Sequence, residues 1–514
     1  SYDCIIIGGA LTGLACGLTL ANRKKNVLIL EQHNLPGGVA TSFSRGGVEL
    51  EASLHEMLSV GSVESPLQIR EFFNKMGVNV NWLRVNEAYR LVTPDIDCVV
   101  RAGENGDFTI PATDIASACG ENRKNGPIYR KLMKFFNLCN NVNNSLNYIS
   151  NHKVNNEQLL LKHNDYLRTI GYSVDEVLAT FELPKKATDI LKAYWLYLGS
   201  PTSSLPFTIY SVVVAEYYGY GSYIPKDYSF EMSLKMAERF TELGGEIEYG
   251  IHVNKILVEN KKVIGVKLDN GTIIKSNYVI CGAYPNTVYS QMIEPKEEVP
   301  KEAFKSLNSY DLGVTCFSVI MVLDKPYNEL GITNYSTFYE PHGMDLDKIW
   351  EDSYSDKPFN FLTCVCPNVV NSDASPSGTC VYSITYLPKA EAFYNVTVDN
   401  YEEIKYKHAN YFIETESKRL GVNLKDHIKE MVIETPITIA HYTNSYQGCI
   451  YGYRHTMDNH IVARMQMNNS ERYIYGLAFA GAHALTGDGM TPSINSGRKA
   501  ALEVMTMMIE GAKR

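Results

Sequence analysis

Paired cysteines, a basic surplus and an obvious membrane span are all missing from this sequence. The 11 cysteines are scattered, and the closest two are Cys364 and Cys366. No C-x-x-C occurs, so neither a zinc ribbon nor a redox dithiol is expected. An odd cysteine count without a framework suits a reducing cytosol better than a disulfide-stapled secreted chain. No metal-ligand spacing stands out, and no metal is expected. Lys and Arg number 48 against 57 Asp and Glu, a net charge of −9, which argues against nucleic acid as the main partner. Residues 4–22 are uncharged but carry Gly8, Gly9, Gly13 and Gly17, a pattern of a βα turn rather than of a leader or span. The expectation is a cytoplasmic protein whose membrane contact, if any, is at the surface.

What is present begins in residues 3–31, DCIIIGGALTGLACGLTLANRKKNVLILE. Cys4-Ile5-Ile6-Ile7 is a short, mostly β-branched run, as in a buried parallel strand. Gly8 to Gly13 follow at once, then an apolar helical stretch over 14–21 and a second apolar run, 27–30, ending in Glu31. Strand, tight turn, helix, strand, acid is the order of a dinucleotide site. Gly8 permits the sharp turn, and Gly13 permits close helix–strand packing. The helix N-terminus offers free N–H groups to a pyrophosphate. Glu31, about 20 residues on, can accept from ribose hydroxyls. The middle glycine of the fingerprint is replaced by Ala10, whose methyl crowds the phosphates. At this level the dinucleotide is either FAD or NAD.

Farther along, Pro36-Gly37-Gly38 lies just past the ribose acid and can bring further backbone N–H groups to the cofactor. A turn at Gly46-Gly47 precedes an alternating strand, 48–53. Residues 121–200 read as mostly helical. Within them Tyr129-Arg130-Lys131-Leu132-Met133-Lys134-Phe135-Phe136 mixes basic and aromatic side chains. It suits a solvated helix with one buried face better than a membrane-surface segment. The 35 tyrosines are either pocket contacts or compositional bias. A helix is expected over 230–243, ended by Gly244-Gly245. Asn270-Gly271 between apolar runs predicts a hairpin. Residues 301–440 alternate strand-like runs with a helix near 401–419. Near the C-terminus a strand over 473–480 leads to Gly481. Thr491 is placed to cap a helix with Pro492 at its first position.

The series strand, GxxxxG, Glu, PGGxxxSF (residues 36–43) and an acid-bearing strand resembles the phytoene desaturase-like flavoproteins. These include carotenoid desaturases, carotenoid isomerases and retinol saturases, relatives of the flavin amine oxidases. The resemblance implies FAD rather than NAD, and an α/β fold: a Rossmann-like FAD-binding domain with an α+β substrate domain built from insertions. Residues 1–90, 221–300 and 441–514 would form the first domain. Residues 91–220 and 301–440 would form the second, with its helical part near 121–200. It also implies that the strand backbone at Val253 meets the adenine. The helix after Gly481-Ala482, through Gly489, Met490 and Thr491, would point at the flavin. Ala482 stands where the amine oxidase branch often has an acid, which tilts the reading to the desaturase branch.

The expected cofactor contacts are thus Gly8, Ala10, Gly13, Glu31, Gly37, Gly38, Val253, Gly481, Gly489, Met490 and Thr491. The expected activity is FAD-dependent desaturation, saturation or isomerisation of carbon–carbon bonds in a long apolar isoprenoid or polyene. Proton transfer beside the hydride step makes His55, Glu51, His483 and Asp488 the candidate acids and bases. The rival activity is amine oxidation. A non-catalytic prenyl-binding escort on the same fold is the second rival, with Ala10 and Val39 in its favour and the surviving glycine motifs against it. The oligomeric state is left open.

Overall fold

A computed structural model describes residues 2–359, 361–461, 464, 473–484 and 489–512. Its organising element is a five-stranded parallel sheet. The strand order is Leu477–Phe479, Val279–Cys281, Cys4–Ile7, Val27–Glu31, Glu246–Tyr249. The central strand is apolar because helices cover both faces of such a sheet; Cys4, Ile5 and Ile6 are buried. Helix Leu11–Ala21 is buried along its whole length. Small residues set how closely it can be packed. A Cβ on Gly17 would stand 2.9 Å from the Phe240 ring, in helix Tyr228–Glu242. A Cβ on Gly497, in helix Met490–Ala512, would stand 2.2 Å from the Thr12 carbonyl oxygen.

A four-stranded sheet (order Ile273–Lys275, Lys262–Leu268, Val253–Glu259, Ile293–Glu294) sits beside it and contains the Asn270-Gly271 hairpin. The other half of the molecule is built on seven strands. Their order is Ile428–Glu434, Phe317–Leu323, Cys380–Tyr386, Leu362–Val365, Ser336–Tyr339, Glu87–Val92, Asp97–Arg101. All neighbours are antiparallel except Ser336–Tyr339 and Glu87–Val92. Helices Pro127–Asn151, Phe207–Gly219 and Tyr401–Leu420 share one hydrophobic core with this sheet.

Several expectations change in detail. Strand Glu87–Val92 runs across residue 90, where the first domain was expected to end, because its partner is Ser336–Tyr339 in the seven-stranded sheet. Ser222–Pro225 is a strand paired with Trp82–Val85, which the sequence did not announce. In the basic-aromatic segment, by contrast, Leu132, Phe135 and Phe136 are fully buried in the core, as the reading of a helix with one buried face expects. The last parallel strand is confined to Leu477–Phe479. Its helix begins at Met490, so Pro492 is the third helical residue. There its missing N–H costs nothing. Thr491 is no cap; its hydroxyl donates to the Leu58 carbonyl at 2.8 Å.

Among the described residues no helix is long and apolar enough to cross a membrane. No disulfide joins any of the 11 cysteines.

Candidate active site

The carboxyl ends of the parallel strands open into a cavity of about 890 Å³, near the upper end of the usual range for ligand sites, ~300–1,000 Å³. This is where parallel α/β sheets place ligands. Gly8 has φ +102°, and nothing lies within 4 Å of where a Cβ would stand. The turn therefore presents bare backbone to open space. Gly13 closes it from below, since a Cβ there would meet the Gly8 carbonyl oxygen at 1.9 Å.

Glu31 is buried and tied to the same turn. One of its oxygens accepts from the Gly9 N–H at 2.6 Å and the other from the His33 N–H at 2.8 Å. A carboxylate has about four lone-pair sites, so it retains acceptor capacity toward the cavity. The Gly37-Gly38 loop folds over the turn: the Gly37 N–H donates to the Gly9 carbonyl at 2.9 Å, and Ala10 bridges Gly37. A Cβ on Gly38 would stand 2.9 Å from the Ala10 methyl. The alanine that departs from the fingerprint is therefore packed against a glycine that leaves room for it. Gly9 was read only as part of the motif; its bond to Glu31 gives it a specific task.

Gly8, Ala10, Gly13, Glu31, Gly37, Gly38, Val253, Gly481, Gly489, Met490 and Thr491 all line this one cavity. So do Glu51, His55 and His483. Asp488 lies outside the described residues. At the far end of the chain the Gly481 N–H donates to Ser496 Oγ at 3.1 Å, fixing the loop that carries Gly481 to the last helix.

The candidate acids and bases differ in character. Burial pushes His55 down to about 4 and, with the Arg464 charge, His483 down to about 3, so both rings are neutral at neutral pH. His483 packs against Tyr284, ring centroids 4.9 Å apart. Glu51 is pushed up to about 7 by burial, against the opposing pull of Ser229, whose N–H donates to it at 2.9 Å. That N–H belongs to the first turn of helix Tyr228–Glu242, so Glu51 also caps a helix.

Three lining residues were not foreseen. Glu434, at the end of Ile428–Glu434, is pushed up to about 8 by burial and then by the Glu51 charge. Glu56 accepts from Tyr197 Oη and from Ser222 Oγ, both at 2.7 Å. Tyr197 follows from no motif, and only the tyrosine count hinted at such a wall. The same wall carries Ile209, Val212, Val213 and Tyr217 from one helix, and Ile320 and Val381 interspersed with Ser318, Ser383 and Thr385 from the seven-stranded sheet.

Residues 11–505 match the model of the flavin containing amine oxidoreductase family. The all-trans-retinol 13,14-reductase of Danio rerio is 23% identical over 98% of this chain and 88% of its own length. The chloroplastic prolycopene isomerase of Daucus carota is 22% identical over 86% of this chain and 70% of its own. A putrescine oxidase solved with putrescine bound shares the fold at a TM-score of 0.63 and 13% identity, over 98% of this chain and 99% of the other. The cradle of bare glycine backbone, with an acid at its edge, fits the FAD that this family carries. The chain belongs to the flavin containing amine oxidoreductase family, with phytoene desaturase-like relatives, and is an FAD-dependent oxidoreductase.

Proposed function

We propose that the enzyme desaturates, saturates or isomerises carbon–carbon bonds of a long apolar polyene or isoprenoid. One observation carries this beyond the family: past the glycine turns the cavity continues along Ile209, Val212, Val213, Ile320 and Val381, aliphatic groups that a small polar substrate would not need. The curated relatives named for retinol and prolycopene point to the same substrate class.

In this reading Gly8, Ala10, Gly13, Gly37 and Gly38 hold the FAD pyrophosphate, and Glu31 holds a ribose. Val253 is the adenine contact, and Gly481, Gly489, Met490 and Thr491 face the flavin. When bound, FAD supplies hydride exchange. The chain holds the substrate carbon in place, excludes water and handles the proton. The parallel sheet and its helices form the cofactor domain, and the seven-stranded sheet with its helical layer forms the substrate domain. Substrate drawn from a membrane surface would meet the exposed pair Leu160 and Leu161, on helix Asn156–Lys162.

The test is product analysis by mass after incubation with a panel of polyenes and, separately, of amines. A gain or loss of two hydrogens, or a shifted double-bond geometry, in a polyene is the expected result. Peroxide release with an amine, and no change in any polyene, would replace this reading with amine oxidation.

A further inference from the structure

We propose that Tyr197 and Glu56 form a proton relay serving the cavity, with the Tyr197 hydroxyl meeting the substrate and the Glu56 carboxyl storing the proton behind it. This deepens the function proposed above and rests on it.

The geometry comes from three separate parts of the chain. Glu56 follows the hairpin strand Val48–Glu51, Tyr197 ends the short helix Ala193–Tyr197, and Ser222 starts the strand Ser222–Pro225. Tyr197 Oη and Ser222 Oγ each donate to one carboxyl oxygen at 2.7 Å, so both oxygens of Glu56 are held. Glu56 is 7% exposed, while Tyr197 is half-buried and lines the cavity beside His55. The titratable neighbours that feel the Glu56 charge are Tyr194, Tyr197, Tyr217 and Tyr335. None of these is a cation, and none fixes the carboxyl as an anion. Burial carries it to about 7, against the opposing pull of Ser222 and Tyr197. A group so placed can take and return a proton near neutral pH. His55 and His483, held neutral, and Glu51, committed to Ser229, are less suited to the task.

In the desaturating direction bound FAD, in its oxidised form, would supply the acceptor for the hydride of one substrate C–H bond. The neighbouring C–H proton passes to Tyr197 Oη, and its electron pair becomes the new π bond. The proton already on Tyr197 moves along the 2.7 Å bond to Glu56 Oε1. The substrate loses two hydrogens, the cofactor gains a hydride and the carboxylate gains a proton. Saturation runs the same transfers in reverse.

The test compares wild-type, Glu56→Gln and Tyr197→Phe holoenzymes in two arms. Infrared titration of the resting holoenzyme should show a protonated-carboxyl band that disappears near pH 7. Glu51 and Glu216 contribute bands in the same range, so the Glu56 band is the one that the wild-type-minus-E56Q difference isolates, and it should move to higher pH in Y197F, because Y197F removes a donor that favours the anion. Turnover of a reactive polyene should fall about 100-fold in either variant, with KM and flavin content little changed and the pH-profile limb near 7 lost in E56Q. A Glu56 carboxyl ionised throughout pH 5–9, or E56Q retaining wild-type turnover and the same limb, would overturn the relay. If E56Q does not fold, Y197F carries both arms. A wild-type enzyme inert toward every polyene would defeat the function reading, and the infrared arm would still decide whether Glu56 exchanges a proton with Tyr197.

Discussion

The two walls of the cavity are made of different material. On the side proposed for the cofactor most of the lining groups are backbone, at the turn at Gly8, the loop at Gly37-Gly38 and the start of the last helix, with the Glu31 carboxylate among them. On the side proposed for the substrate they are side chains, contributed by helix Phe207–Gly219, the segment near Tyr197 and four strands of the seven-stranded sheet. Beneath the first wall Gly13 tolerates no added atom, since its Cβ would stand 1.9 Å from the Gly8 oxygen. The second has room, and its chemistry can be changed one side chain at a time.

The largest effect is expected where backbone meets backbone. Gly13→Val should leave little flavin-bearing protein, because neither Gly8 nor the helix can yield; overpacking of this kind costs about 1–3 kcal/mol or more. Flavin-to-protein ratio and thermal unfolding check it. Glu31→Ala should weaken FAD binding about 10–100-fold, since it removes hydrogen bonds to a charged acceptor worth about 1.5–3 kcal/mol. It also frees the Gly9 N–H from its partner. Equilibrium titration of flavin-stripped protein measures the loss, and full, tightly held flavin in this variant would remove Glu31 from the site.

On the opposite wall Ile209→Trp should raise KM for a polyene about tenfold, ~1.4 kcal/mol, with flavin content unchanged. Loss of flavin in that variant would erase the distinction between the walls.

The smallest expected effect is on pH dependence. Folding holds Glu51, Glu56 and Glu216 up to about 7 and Glu434 up to about 8, whereas an unfolded Glu titrates near 4.3. The unfolded chain therefore binds fewer protons in this window, and stability falls as pH rises toward 8. His55 and His483, held at about 4 and 3, act in the opposite sense only below about pH 6.5. The melting temperature should thus drop between pH 6.5 and 8.5, and Glu434→Gln should lessen the drop by about 1–2 °C. An unchanged slope in that variant would show that Glu434 is not held protonated.

The same contrast explains what was legible in the sequence. Backbone sites leave their mark as contiguous glycine spacing, so the turn, Glu31 and the Gly37-Gly38 loop could be placed before any coordinates. The parallel sheet followed from its buried apolar runs. Glu56 and Tyr197 could not be placed, because nothing local marks two side chains that meet across 141 residues of chain. Thr491 misled for a related reason. Its hydroxyl had a distant acceptor, the Leu58 carbonyl, that no local pattern could announce.

The most direct measurement is an anaerobic spectral titration of the holoenzyme, in its oxidised and its reduced form, with polyenes and with amines. Polyenes should perturb the flavin absorbance, by shifting it, bleaching the oxidised form or restoring colour to the reduced form, while amines leave it alone. Bleaching by an amine, with no polyene altering either form, would contradict the assignment of an apolar polyene to the second wall.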